Sequence, residues 1–358
     1  MPIANSSSLV AGAQFAAELA SQASCLQQQI SPLKDALAAA VASINRIQPS
    51  FGLIAARGSS DNAARYAQVL FGVRHRLAVG LATPSLVTAY KTPPRLTRAL
   101  VLGISQSGAS PDVVAVVADA TRQQAASLAI TNTVDSALAK AAQHVLPMFA
   151  GAERAVAASK TYTASVFALA QLSACLQGNE ETREQILLLP QAVQNTLDLA
   201  DGSTLNAMAD AINAAGGLLV VGRGYDLATA FEIALKLKET TGVHAEAMST
   251  ADLLHGPIAI SNSSVPVLIV STGEALAADA HETMDKMNAR GLPTMVITDN
   301  VALAAKTKLS FLLPTKLPDW LQPITAVIPG QCLALKVALA RGLNPDAPVG
   351  LSKVTLTY

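Results

Sequence analysis

Residues 99–112, Ala-Leu-Val-Leu-Gly-Ile-Ser-Gln-Ser-Gly-Ala-Ser-Pro-Asp, decide how this chain is read. An apolar run from Ala99 to Ile104 has the length of a strand. It gives way to Ser105-Gln106-Ser107-Gly108-Ala109-Ser110 and then to Pro111. Pro111 suits the first position of a helix, and Ser110 suits its N-cap. A strand, a hydroxyl-rich turn and a helix start together make an anion pocket from backbone N–H groups and neutral side-chain donors. The turn carries no lysine, which sets it apart from the G-x-x-x-x-G-K-[ST] loop of nucleotide hydrolases. Such donors fit a small phosphomonoester better than a triphosphate with Mg²⁺. Taken alone, the loop reads equally well as a capped turn facing solvent.

The surrounding chain favours the pocket. It has 358 residues, 51% hydrophobic and 14% charged, enough for two domains with a sizeable core. Twenty-five Lys and Arg balance 25 Asp and Glu, which argues against nucleic acid or an anionic membrane as a bulk partner. Cys25, Cys175 and Cys332 lie far apart, so neither a disulfide framework nor a zinc cluster is expected, no metal or cofactor is implied, and a cytoplasmic location is the natural expectation. The first residues lack the basic and apolar regions of a signal peptide, and no apolar run is read as long enough to span a membrane.

The two halves repeat one another. Arg57-Gly58 recurs as Arg223-Gly224, and Ser105 recurs as Ser271, each 166 positions on. Ile130-Thr131-Asn132 recurs as Ile297-Thr298-Asp299, and Leu146-Pro147 as Leu313-Pro314, each 167 positions on. The period is too long for a solenoid and implies a duplicated domain. Strands are expected at 52–56, 77–82, 99–104, 126–131 and 144–148, then at 217–222, 265–271, 293–298 and 309–313. They are nearly continuous apolar runs, the mark of parallel strands covered on both faces. Helices at 61–70, 111–124, 226–241, 276–290 and near 331–341 complete an α/β reading of two tandem doubly wound parallel sheets. The expected layout is a helical lead-in over 1–46, with 9–46 as one long helix. A first domain with the phosphate loops covers 47–177, a helical connector 178–205, a second domain 206–342 and a tail 343–358.

Ligands in such sheets sit beyond the carboxyl ends of strands. Arg57-Gly58-Ser59-Ser60 lies at one such end, where Ser59 or Ser60 can cap a helix or donate to an anion. On helix 226–241, Glu232, Lys236 and Glu239 form one narrow stripe on an otherwise apolar helix. Glu232 and Lys236 read as an internal ion pair, and Glu239 as the candidate proton shuttle. His255, before Gly256-Pro257, is held on a turn and is a candidate acid–base group; His244 reads as structural. Between Gly151 and Thr163, Ala157 and Ala158 would let a ligand approach the backbone and Ser159 and Thr161 offer hydroxyls, while Lys160 and Thr163 read as a solvated helix face. Lys353, alone, reads as a surface charge.

Together these segments resemble the sugar isomerase (SIS) family. More narrowly, they resemble the isomerase half of glucosamine-6-phosphate synthase and its freestanding relatives, the SIS-type amino-sugar-phosphate deaminases. The motifs are ISQSGASPD at 104–112, ERAVAASKTYT at 153–163, GRGYDLATAFEIALKLKE at 222–239, HAEA at 244–247, LLHGPIAI at 253–260 and LSKVTLT at 351–357. The resemblance implies a phosphate cradle of Ser105, Gln106, Ser107 and Ser110, with Ser60 contributing. It implies sugar contacts at Val156, Ala157, Ala158 and Ser352. It makes Glu239 the base between C1 and C2 and His255 the ring-opening group, supplied by the partner subunit of a homodimer. Lys353 takes the place of a tail lysine that touches the sugar. Ala158 replaces a serine, Ser110 a threonine and Ala109 a glutamate of the synthase. Residue 2 is Pro2, where the synthase has a catalytic cysteine, so the resemblance favours the hydrolytic direction: glucosamine 6-phosphate and water to fructose 6-phosphate and ammonia. Galactosamine 6-phosphate, a fructosyl-amino acid 6-phosphate or a simple ketose phosphate are the alternative substrates, and a non-catalytic phosphosugar sensor is the reading outside catalysis.

Overall fold

A computed structural model describes residues 10–353, so the start of the lead-in and tail residues 354–358 lie outside the described residues. Three helices precede the first strand: α1 (Ala13–Ala20), α2 (Gln22–Ile30) and α3 (Lys34–Ile47). The expected single long helix is therefore broken twice. Ser21 Oγ donates back to the Glu18 carbonyl at 2.9 Å, and Pro32 has no N–H with which to continue α2.

The first sheet follows with its helices: β1 (Phe51–Ala55), α4 (Ser59–His75), β2 (Val79–Leu81), α5 (Ser85–Thr88), β3 (Ala99–Ser105), α6 (Pro111–Arg122), β4 (Ala126–Thr131), α7 (Ala137–Ala141) and β5 (His144–Pro147). Helices α8 (Lys160–Gln177), α9 (Glu180–Leu187), α10 (Leu189–Leu199) and α11 (Ser203–Asn213) lead to the second. It contains β6 (Leu218–Gly222), α12 (Asp226–Thr241), β7 (Ala245–Ser249), α13 (Thr250–Leu254), β8 (Val267–Ser271), α14 (Ala277–Ala289), β9 (Thr294–Thr298), α15 (Val301–Ala304) and β10 (Leu309–Leu312), and α16 (Gln322–Ala340) closes the fold.

Both sheets are parallel and share one strand order, β2-β1-β3-β4-β5 and β7-β6-β8-β9-β10. The duplication extends to register. Leu53 faces Val101 and Gly80, and their counterparts Leu219, Val267 and Glu246 face one another in the same way. Every residue of β3, β4, β6, β8 and β9 is buried, as expected of strands covered on both faces. Strand β7 was not foreseen. It is an edge strand with exposed Glu246 as its second residue, so it lacks the apolar run. The repeat of β2 at the same offset was the signal that marks it.

Helix α16 begins nine residues before the expected start, because Pro329-Gly330 reads as a breaker yet lies inside the helix. Its 19 residues and mean hydropathy of 1.5 match a membrane span by length and composition, but 72% of its apolar window is buried inside the protein. Gly330 is where α16 meets α12. A Cβ at Gly330 would lie 2.2 Å from Cγ1 of Ile233, itself fully buried.

Helix α12 also joins the halves through charge. Glu232 is fully buried and accepts from Ser59 Oγ at 2.9 Å and Asn62 Nδ2 at 2.8 Å, both on the first turn of α4. Lys236 Nζ lies 3.6 Å from Glu232 Oε1. Burial pushes the Glu232 carboxyl up to about 7, with the Glu239 charge adding to the rise and Lys236, Asn62 and Ser59 opposing it. Burial works against the Lys236 charge, but the carboxylates of Glu232 and Glu239 outweigh it and hold the ammonium above its ordinary value.

Two predictions follow from this packing. Gly330→Ala is expected to lower the unfolding free energy by about 1 kcal/mol or more, because overpacking outweighs the gain in helix propensity; an unchanged or raised denaturant midpoint would contradict the contact. A carboxyl raised to about 7 binds its proton more tightly in the native state, so its contribution is full below the unfolded value of 4.5 and is lost as pH rises towards 7. Unfolding free energy measured from pH 5 to 8 should fall less steeply in Glu232→Gln than in the parent chain. Parallel curves would show that Glu232 stays ionised throughout.

Candidate active site

From β1 the chain runs to β2 on one side and then crosses back to β3 on the other side of β1, so the carboxyl ends of β1 and β3 form the switch point of the first sheet, where such folds bind ligands. Two turns meet there. After β1, Gly58 has φ 56° and ψ −130°, a conformation that favours glycine, and it turns the chain directly into α4. After β3, residues 106–110 lead into α6, with Pro111 in its first turn. Both helix N-termini, with their positive dipole ends, point at the same space.

That space is a cleft of about 270 Å³. Ser60, Ser105, Gln106, Ser107 and Ser110 line it, together with Val156, Ala158, Glu239, Ser352 and Lys353. Ser105 Oγ accepts from the Gly108 amide at 3.1 Å and Ser107 Oγ from the Ala109 amide at 3.3 Å; each hydroxyl keeps its proton to donate. Ser110 stands at the N-cap of α6 but makes no capping bond. The Ser59 hydroxyl is likewise not a cap, being committed to Glu232. Ala157 is buried and does not line the cleft with its neighbours.

The charges around the cleft are paired. Arg57 binds the buried Asp112 at 2.6 Å. Lys236 Nζ donates to Glu239 Oε2 at 2.5 Å, so the stripe on α12 runs Glu232, Lys236, Glu239 from the buried seam to the cleft. Lys353 reaches in from the tail and donates to Glu153 Oε2 at 2.7 Å and to the Ala155 carbonyl at 2.8 Å. Its reading as a solvated surface charge is thereby corrected. Glu153 also accepts from the amides of Ser159 and Thr161 and from Thr161 Oγ1. Burial alone would raise the Glu153 carboxyl, but the Lys353 charge and these bonds hold it below its usual range.

Thr161, whose hydroxyl is read as available to a ligand, also lines the cleft, and two further side chains there were not singled out beforehand: Glu153 and Tyr162. Their signal was present, since a lone acid just before the run Ala155–Ala158 is a candidate for a buried partner. The expected solvated face at Lys160 and Thr163 is wrong. Both are buried, and Thr163 Oγ1 donates to the Ser159 carbonyl and to Gln22, because α2 covers this turn of α8. His255 is exposed at the end of α13 and does not line this cleft; His244 is exposed just before β7. Among the described residues, no group of three or more His, Cys, Asp or Glu side chains is placed to hold a metal.

The model of the SIS domain matches this chain twice, over residues 53–174 and 211–341. Glutamine–fructose-6-phosphate aminotransferase (isomerizing) of Thermococcus kodakarensis is 32% identical over 265 residues, which are 72% of this chain and 44% of that protein. The chain spans about half the length of the curated relatives it matches. A solved structure from Silicibacter pomeroyi, provisionally described as a phosphosugar isomerase, is 31% identical with a TM-score of 0.84, covering 94% of this chain and all of that one. Glucosamine-6-phosphate deaminase of Thermotoga maritima shares the fold, with a TM-score of 0.75 at 20% identity over 96% of this chain and all of that one. Each match to the domain spans one of the two parallel sheets with its flanking helices, and the chain belongs to the SIS domain family.

Proposed function

We propose that the cleft binds the open-chain form of an amino-sugar 6-phosphate and converts it, with water, to a ketose 6-phosphate and ammonia. Glucosamine 6-phosphate giving fructose 6-phosphate is the reaction first in line. One observation carries the reading: a neutral, hydroxyl-lined anion cradle and the Lys236–Glu239 pair occupy the same small cleft.

Each group has a role suited to its chemistry. The phosphate takes hydrogen bonds from the turn at 105–110 and from the first turn of α4, far from the reacting carbons. Binding energy gained there holds the sugar in place for the reaction. Glu239 removes the C2 proton, which the C1 aldehyde acidifies, and returns it to C1 through an enolamine. The C2 imine adds water, and the carbinolamine expels ammonia as the C2 ketone forms. Lys236, hydrogen-bonded to Glu239, fixes where that carboxylate points. Lys353, anchored by Glu153, faces the sugar from the tail. His255 opens the sugar ring, and we place it in the cleft of the other copy of a homodimer, since it is exposed outside its own.

Incubation with glucosamine 6-phosphate should release ammonia and fructose 6-phosphate in equal amounts, and Glu239→Gln should abolish this while phosphosugar affinity is retained. A variant that keeps more than about a tenth of kcat, a loss under ~1.4 kcal/mol, removes Glu239 from the role of base. Isomerisation without ammonia would assign a ketose–aldose isomerase. Ammonia or amine from a fructosyl-amino acid phosphate alone would assign a deglycase, and binding without turnover a sensor.

The shared site makes a second prediction. Mixed and reannealed, inactive Glu239→Gln and inactive His255→Ala chains should recover roughly a quarter of parental activity, because half the dimers are mixed and each has one complete site. No recovery would place His255 outside the partner's cleft.

A further inference from the structure

The second half repeats the architecture of the cradle but fills it from within. β6 and β8 stand in the second sheet as β1 and β3 stand in the first. The Arg57–Asp112 ion pair recurs as Arg223–Asp279. The turn at 271–276 leads into α14 as the turn at 105–110 leads into α6. In the first half, Gly108 and Ala109 donate to serine hydroxyls, and no carboxylate among the described residues accepts from the turn amides.

In the second half four successive amides are taken by the chain's own carboxylates. Thr272 N donates to Asp226 Oδ2 at 2.7 Å, and Gly273 N to Asp299 Oδ1 at 3.0 Å. Glu274 N and Ala275 N donate to the two oxygens of Asp319, at 3.3 and 3.2 Å. Asp226 stands at the position of Ser60 in the repeat. Gly273 leaves the space that Asp319 fills: its φ is +73°, and a Cβ there would lie 2.4 Å from the Asp319 carboxyl carbon. A carboxylate on adjacent amides before a helix is the geometry of a bound anion.

The next residue reaches across to the first half. The Trp320 carbonyl accepts from Tyr66 Oη at 2.7 Å, and the Arg74 guanidinium lies 3.9 Å over the indole. Tyr66 and Arg74 belong to α4, the helix whose first turn helps form the cleft. We propose that Asp319 is an internal anion that closes the duplicated cradle and, seated there, holds Trp320 against α4. The second half thus binds no phosphate of its own and positions the phosphate-binding turn of the first. Asp319 is a positioning residue, and its effect on binding rests on the reading that the first-half cradle takes the phosphate.

Trp320 is the only tryptophan in the chain, so its emission reports the clamp directly. Two variants release Asp319 by different means: Asp319→Ala removes the carboxylate, and Gly273→Ala keeps every charge but takes its space. Each should shift Trp320 emission and weaken inorganic phosphate binding, followed by calorimetry, by roughly tenfold, within the usual range of coupling between sites. The double variant should be no worse than either alone. Alanine preserves the shape of the carboxylate least well, so Asp319→Asn, which keeps one acceptor oxygen, should fall between parent and Asp319→Ala and serves if the alanine chains do not fold. Unchanged emission in folded Gly273→Ala and Asp319→Asn overturns the clamp, as does a shift in emission with unchanged phosphate affinity. Two phosphates bound per parent chain overturn the closed cradle. Absence of any phosphate binding by the parent sinks the functional reading instead, and the emission arm still decides the clamp.

Discussion

A charge pair buried between two duplicated halves organises this protein. Glu232 and Lys236 are both withdrawn from water, at a cost that only close partners can offset. Glu232 finds those partners on the other half, in Ser59 and Asn62 of α4. Stripping one partner from a buried pair of this kind costs about 3–5 kcal/mol, which makes α12 hard to move from its seat on α4. Because α4 starts at the carboxyl end of β1, the same contact brings the cleft-facing end of α12 to the strand-end turns. Glu239, next in the stripe and bonded to Lys236, is then carried to the cleft. Glu239 and the serine-rich turn that share the cleft come from different halves, and the buried pair fixes their separation.

The duplication lets one architecture serve two ends. Both halves place turn amides and a helix N-terminus at a switch point. In the first, serine hydroxyls take two of those amides and keep their own protons to donate into a cleft; in the second, Asp226, Asp299 and Asp319 occupy the amides. Burial pushes the Asp226 carboxyl up to about 7 against the bonds it accepts from Thr272, a measure of how dry this closed turn is. The tail follows a related logic. Lys353 enters the cleft as a cation whose charge is already matched by the buried Glu153, so the cleft gains a donor without a loose positive charge.

The repeat and the parallel strands were legible because both depend on long apolar runs at a fixed offset. The stripe on α12 was legible because helical spacing sets its angle whatever surrounds it. Other features depend on tertiary contacts that no local pattern encodes. β7 is an edge strand, so Glu246 within it can face solvent and hide the strand. A helix was expected only from about 331, yet α16 runs through Pro329 and Gly330, and Gly330 leaves the space that Ile233 of α12 occupies. Lys160 and Thr163 look like a solvated face until α2 is laid over them. Lys353 carries no local sign of its role: its partner, Glu153, is two hundred residues away in sequence. The cradle serines could be read from their turn, but that Ser59 belongs to Glu232 and not to the cap could not.

The central claim is that one half grips a phosphate with neutral donors while the other presents a carboxylate to the far end of the same sugar. A crystal structure with glucosamine 6-phosphate bound to the Glu239→Gln chain tests it most directly. The account predicts the phosphoryl group on the amides and hydroxyls of residues 105–110, with C1 and C2 against the side chain at position 239. A phosphoryl group seated elsewhere, or a sugar whose C1–C2 edge faces away from that side chain, would contradict it.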